Sequence, residues 1–543
     1  MSARRCQVSS LARCARSDPS ANCDAVIEDS RIAKRLGRAE KFRYGSGMLP
    51  LRSFFAFCAL CLPTALAGCF GAGDRPVEVL AIGEPDSIFV GGANLPLAAQ
   101  LMRAATTEGL VAFDEQGRVI PALADRWIVT NDGLSYIFRL RDGTWPDGSQ
   151  INAENARAAL MQAIRAQAGQ PLAADLMAIE QVRAMAGRVV EIRLSQQMPD
   201  MLQLLAQPEL GVIYGGRGAG PMKARRDSDK KLKLEGVLLR PIAPEDRGLP
   251  QQENWSQRVR PLRLSASPAA RAIELFNQGN ADMVLGGGLA DFPQLDATGV
   301  TRGSIRLDPV SGLFGLAVVH DDGFLAKPEN REAIAMAIDR ETLIASFNIA
   351  GWTATSRVLN PGLEGDNGTV SERWLGRTIE ERRAQAGARV AQWKSGGHIP
   401  AALRVALPAG PGADLLFERL ASDLKSIGLG VQRVALTADA DLRLIDRTAR
   451  YARPAWFFNQ LSCANARALC SVAADRLVTE AQTEPNLVKR AELYAQAEAQ
   501  LTVTNAYIPF GVPIRWTLVG SSSGFAANRW GVHPLMPLAF IPK

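Results

Sequence analysis

The chain has 543 residues, 47% of them hydrophobic, with a net charge of +7 and a pI near 9.1. Residues 1–68 hold 11 basic and 5 acidic side chains, so the rest carries 51 and 50 and is nearly neutral, which removes the case for a nucleic-acid partner. The hydrophobic share is that of a soluble protein, and the roughly 475 residues after Cys69 exceed one ordinary core, so two or more domains are expected.

Residues 1–47 are rich in Arg, Ser and Cys and show no sustained apolar period. They read as an extension that is either disordered or not translated, with Met48 as the working start. Residues 48–68 read as a signal peptide. Arg52 is the basic region, Phe54 to Leu62 the apolar core, and Ala65, Ala67 and Gly68 prepare a cleavage site. Leu66-Ala67-Gly68-Cys69 resembles the bacterial lipobox, which predicts lipidation of Cys69. A transmembrane helix is the alternative, opposed by Pro63 and the Gly-rich end. No second long apolar run follows. Residues 69–76 form a tether.

"VEVLAIG" (77–83) predicts a strand, and 96–114 a helix running into a turn. Tyr136, Phe138 and Leu140 alternate with polar residues, the period of a half-buried strand, between Asp-Gly turns at 132–133 and 142–143. Asn152 is placed to cap a helix with Ala156, Leu160 and Ile164 on one face. Residues 188–240 read as strand-rich and loop-rich, with "KARRDSDKK" (223–231) as a solvated loop. Residues 271–287 predict helix, Gly turn and strand. The pattern restarts near 311: "FGLAVV" (314–319) is a strand, and 328–347 holds two short helices, the second capped by Asp339. Residues 403–407, 413–427 and 431–436 predict a βαβ unit, hence a parallel pairing. A helix over 486–502 and extended chain over 507–520 follow.

Five of the eight cysteines precede the cleavage site. With Cys69 acylated, Cys463 and Cys470 are left as a pair, either a disulfide or two free thiols.

Several of these stretches carry a resemblance. "TEGLVAFDEQGRVIPALADRW" followed by "DGLSYIFRLRDGTWPDGSQINAENA", then "GAGPM", "LFNQGNADMV", "NREAIAMAIDRETLI", "LASDLKSIGLGVQ" and "YIPF", resembles the peptide/nickel class of extracellular solute-binding proteins, the receptors of ABC importers. The resemblance spans nearly all of 77–520. It implies an α/β, two-lobed periplasmic-binding-protein fold with an extra subdomain and mixed sheets covered by helices. The first lobe would cover 75–310, with the subdomain at about 110–190. The second lobe would cover 311–504, and 505–543 would return to the first. Many family members carry Trp-x-Ala-Asp-Tyr-x-Asp-Pro, whose Asp can hold a peptide's amino group. The equivalent stretch here, "ARPAWFFNQLSC" (452–463), has no acid.

The implied function is capture of a small solute, peptide-like or other, between two lobes. Delivery would go to an ABC permease with its ATPase, from a monomer lipid-anchored in the periplasm. The alternatives are a sensory or assembly lipoprotein on the same fold, and a secreted hydrolase. No catalytic motif, metal-ligand spacing or cofactor motif is present, so no catalytic residue, metal or cofactor is expected. Candidate ligand contacts are those on loops after strands: Glu84 and Ser87, His320 at a strand end expected to open on the cleft, Trp352 and Arg357, and Arg453, Trp456 and Asn459.

Overall fold

The structure is a computed structural model that describes residues 75–399, 401–465, 468–520 and 524–542. The expected extension, signal peptide and Cys69 lie outside the described residues. The first of two large sheets has seven strands. In spatial order they are Met222–Asp229, Leu234–Pro241, Leu262–Ser267, Val77–Ile82, Met283–Gly288, Arg515–Val519 and Ile305–Leu307. Its centre is a parallel trio, with Val77–Ile82 between Leu262–Ser267 and Met283–Gly288. Parallel strands need cover on both faces, which suits the near-continuous apolar run of Val77–Ile82. Val77, Val79 and Ala81 pack with Ala98, Leu101 and Ala105 of the helix Leu97–Thr106. Leu80 packs on the other face with Ala272, Ile273 and Leu275 of the helix Ala269–Asn277.

The basic stretch at 223–231 corrects an expectation. It is not a loop but the edge strand Met222–Asp229, antiparallel to Leu234–Pro241. Lys223, Arg225 and Arg226 are exposed on it. Charge on an edge strand discourages pairing with another chain, so composition alone made it look like a loop.

The extra subdomain is a four-stranded antiparallel sheet in the order Ala124–Val129, Ser135–Leu140, Val189–Leu194, Ile179–Ala184. Tyr136, Phe138 and Leu140 are buried, as their alternation requires. Asn152 closes a capping box with Asn155 at the start of the helix Ala153–Ala166.

The second large sheet has five strands: Val431–Ala435, Leu403–Leu407, Leu442–Thr448, Gly312–Val318 and Tyr507–Gly511. Leu403–Leu407, the helix Pro411–Ser426 and Val431–Ala435 form the expected parallel βαβ unit. Asp339 caps the helix Arg340–Ala345, accepting from the Thr342 backbone N–H. The chain passes between the two sheets twice, at 308–311 and at 512–514. The second lobe therefore ends near 511, not 504, because Tyr507–Gly511 pairs with Gly312–Val318. The sequence showed two extended runs there and no sign of which sheet each would join.

Candidate functional site

The two lobes meet at the carboxyl ends of their parallel strands, where open α/β sheets place ligands. Met283–Gly288 runs into the turn Leu289–Asp291 of the first lobe. Leu403–Leu407 runs into the helix Pro411–Ser426 of the second. The approach is close enough to require glycine. A Cβ at Gly412 would lie 2.0 Å from the Leu289 carbonyl oxygen. A Cβ at Gly410, where φ is +127°, would lie 2.5 Å from that of Ala290.

Elsewhere between the lobes, residues 450–459 of the second lobe meet Asp175 of the subdomain and Asp200, Gln207 and Glu209 of the first lobe across a polar seam. The Arg450 guanidinium donates to Glu209 Oε1 at 2.7 Å and to Gln207 Oε1 at 2.8 Å. Tyr451 Oη and Asn459 Nδ2 both donate to Asp175 Oδ1, at 2.9 and 2.8 Å. Arg453 donates from Nε to Asp200 Oδ2 at 3.0 Å and also pairs with Glu364 at 2.6 Å. The stretch 452–463 has no acid of its own; Asp175 and Asp200 bring acids to it from the other lobe.

Burial raises the Asp175 carboxyl to about 6, against the lowering pull of Asn459, Tyr451 and Arg450. Its Oδ2 is buried and has no hydrogen-bond partner among the described residues. Burial also works to raise Glu209, but the charge and hydrogen bonds of Arg450 outweigh it and leave that carboxyl low. At Asp200 burial wins over Arg453 and the carboxyl is raised.

The eight candidate residues separate. Arg453 and Asn459 reach across the seam. Trp456 shares a helix face with Asn459, three residues away, and is buried in the apolar cluster that joins subdomain and second-lobe helices. It meets Phe457 edge to face at 5.1 Å. The stretch 453–460, expected as a loop, is largely the helix Pro454–Leu461, whose aromatic residues are buried. Glu84 and Ser87 lie at the carboxyl end of Val77–Ile82, around the short turn Pro85–Phe89; Ser87 is buried and Glu84 exposed.

The other three sit elsewhere. Trp352 packs against Phe314 and Phe347, and its Nε1 donates to the Val512 carbonyl at 2.9 Å, holding the return crossing. Arg357 is buried between Asp366 and Glu498, and Glu498 also accepts the backbone N–H groups of Val358 and Leu359. His320 is a correction. Gly312–Val318 runs antiparallel to Leu442–Thr448, which is parallel to Leu403–Leu407. His320 therefore emerges at the amino end of that sheet's parallel strands, opposite the end that meets the first lobe, with Nε2 2.9 Å from Asp439.

Sequence reasoning missed Asp175, Asp200, Glu209, Arg450 and Tyr451. Arg450 and Tyr451 adjoin the flagged Arg453, and that was their only signal. The acids carry no motif and meet their partners across more than 240 positions. Near the crossings, Arg515 of the first lobe pairs with Asp446 of the second at 2.7 Å, beside a cavity of about 40 Å³. Cys463 and Cys470 form a disulfide. Among the described residues no group of three or more His, Cys, Asp or Glu is arranged to hold a metal ion.

Comparison with known proteins agrees with this geometry. Residues 118–235 match the family described as bacterial extracellular solute-binding proteins, family 5, middle. The murein tripeptide binding protein MppA of Escherichia coli superposes with a TM-score of 0.72 at 18% identity, over 86% of this chain and 99% of that one. The chain has the two-lobed fold of these binding proteins, and its residues 118–235 carry the match to the solute-binding family. Among curated solute-binding relatives, the periplasmic oligopeptide-binding protein OppA of Salmonella typhimurium is 21% identical over 447 residues, 74% of this chain and 80% of its own. The probable deoxycholate-binding periplasmic protein YgiS of Escherichia coli is 33% identical over 122 residues, which is 19% of this chain and 23% of that protein. The match to this second relative thus spans less than a quarter of its length.

Proposed function

We propose that the protein is the receptor of an ABC importer in the periplasm. It captures a small solute between its lobes and presents the closed form to a membrane permease with its ATPase. The observation that carries this reading is the pair of chain crossings, at 308–311 and 512–514, that join two lobes whose strand ends face each other. The seam of Arg450, Tyr451, Arg453 and Asn459 against Asp175, Asp200 and Glu209 would be the polar wall that a solute meets. The named relatives bind a murein tripeptide, oligopeptides and, by its name, deoxycholate, so the family tolerates very different cargoes. The test is mass spectrometry of small molecules released from the purified protein, followed by thermal melting with each one. A solute recovered unchanged that raises the melting temperature supports capture. A solute chemically altered on incubation would point to a hydrolase.

Anchoring by acylated Cys69 belongs to the same proposal. The thiolate is the acyl acceptor and a hydroxyl is a poor substitute, so Cys69→Ser should abolish palmitate labelling and release the protein from the membrane fraction. A mutant that remains labelled and sedimenting removes the anchor.

A further inference from the structure

The first lobe holds a cleft that shares no residue with the seam. Its volume is about 430 Å³, in the range of small-molecule sites. Pro221, Pro244 and Pro250 lie in its wall with Trp255, Met536 and Phe540. Proline-rich walls have little conformational freedom to lose on binding. Trp255 meets Phe540 edge to face at 5.7 Å, so the apolar surface is already assembled.

One charged group breaks this apolar lining, the guanidinium of Arg247. Its Nη2 donates to Glu108 Oε2 at 2.7 Å. The other oxygen of Glu108 is taken by buried Arg141. One carboxylate thus serves two guanidiniums, and no other acid pairs with either among the described residues. A positive charge is left over beside an apolar cleft. Arg247 Nη1 makes no hydrogen bond among the described residues, and its Nε is buried without a partner. Neighbouring Glu245 and Asp246 are exposed, where water screens them.

We propose that this cleft is a second ligand site, for a molecule with a compact apolar body and one carboxylate, the carboxylate paired with Arg247. The body covers Trp255, Met536 and Phe540. The carboxylate supplies the negative charge that Glu108 cannot give to both arginines, in a low-dielectric wall where such a bond is strong.

The probes are pyrenebutyrate and its neutral alcohol pyrenebutanol, titrated by fluorescence into the full chain. The acid should bind about tenfold or more tightly than the alcohol, the worth of a charge-assisted bond. In Arg247→Met the two affinities should become equal, with that of the alcohol unchanged; Glu108 keeps Arg141, so no buried acid is stranded. In Met536→Trp, which fills the cleft, both probes should lose binding, and this variant tests the site independently if Arg247→Met melts early. Arg450→Met, on the seam, should leave both affinities as they are. Equal affinities in the wild type, binding of neither probe, an acid preference that survives Arg247→Met, binding that survives Met536→Trp, or loss of binding in Arg450→Met would each overturn the proposal.

Discussion

Among the described residues Asp175 holds two neutral donors on one oxygen and none on the other, at 2% exposure. Burial lifts its carboxyl to about 6, above its ordinary value near 3.8. The folded protein therefore binds this proton more tightly than the unfolded chain, and the acid weakens the fold above pH 6. Stability is recovered as pH falls from 6 toward 4. Asp175→Asn keeps an acceptor for Tyr451 and Asn459 but carries no charge. Lowering pH from 7.5 to 4.5 should thus stabilise the wild type relative to this mutant by about 2 kcal/mol. Melting curves at the two pH values measure it, and a constant difference would refute the assignment. Trp456 is also 2% exposed. Removing it leaves a large cavity among Phe457, Phe458 and their neighbours, so Trp456→Ala should cost about 3–5 kcal/mol and lower the melting temperature with or without solute. Normal melting would place the indole outside the core.

At the scale of elements, the helix Pro454–Leu461 is the informative one. Pro454 at its first position and the apolar run Trp456 to Phe458 suit a buried helix start, yet eight residues with three consecutive aromatics show no clear helical period. Its partner helices decide it. Just beyond, the Cys463–Cys470 disulfide closes a short loop before the helix Val472–Thr483. In the chain-entropy account a loop this short stabilises by about 2–3 kcal/mol, so the double mutant Cys463→Ser/Cys470→Ser should melt earlier by that amount. Maleimide should leave both wild-type cysteines unlabelled until a reductant is added; labelling without it would deny the bond.

Across the whole molecule, the lobes are joined by charge as well as by chain. Glu209 is nearly fully buried and depends on Arg450 from the opposite lobe. Removing one partner of a buried pair strands the other. Because part of the Arg450 side chain is exposed, the expected loss for Arg450→Met is about 2–3 kcal/mol after allowing for solvent screening. That loss falls on the contact between lobes, so the mutant should show a larger radius of gyration by X-ray scattering than the wild type. An unchanged radius would mean that Arg450 does not hold the lobes together.

The sequence by itself determined the local elements. The alternation at Tyr136, Phe138 and Leu140, the caps at Asn152 and Asp339 and the βαβ unit at 403–436 are set by neighbours within a few residues, and all are present. The family resemblance extended this to two lobes with a subdomain. Tertiary structure alone decided which sheet Tyr507–Gly511 joins, that 223–229 is a strand, and that His320 faces away from the lobe contact. It alone placed Asp175, Asp200 and Glu209 opposite Arg450, Tyr451 and Arg453. The physical reason is range. Periodicity and capping act over one or two turns, whereas strand pairing and buried charge pairing join residues hundreds of positions apart. A lone acid gives no local sign of which cation will cover it.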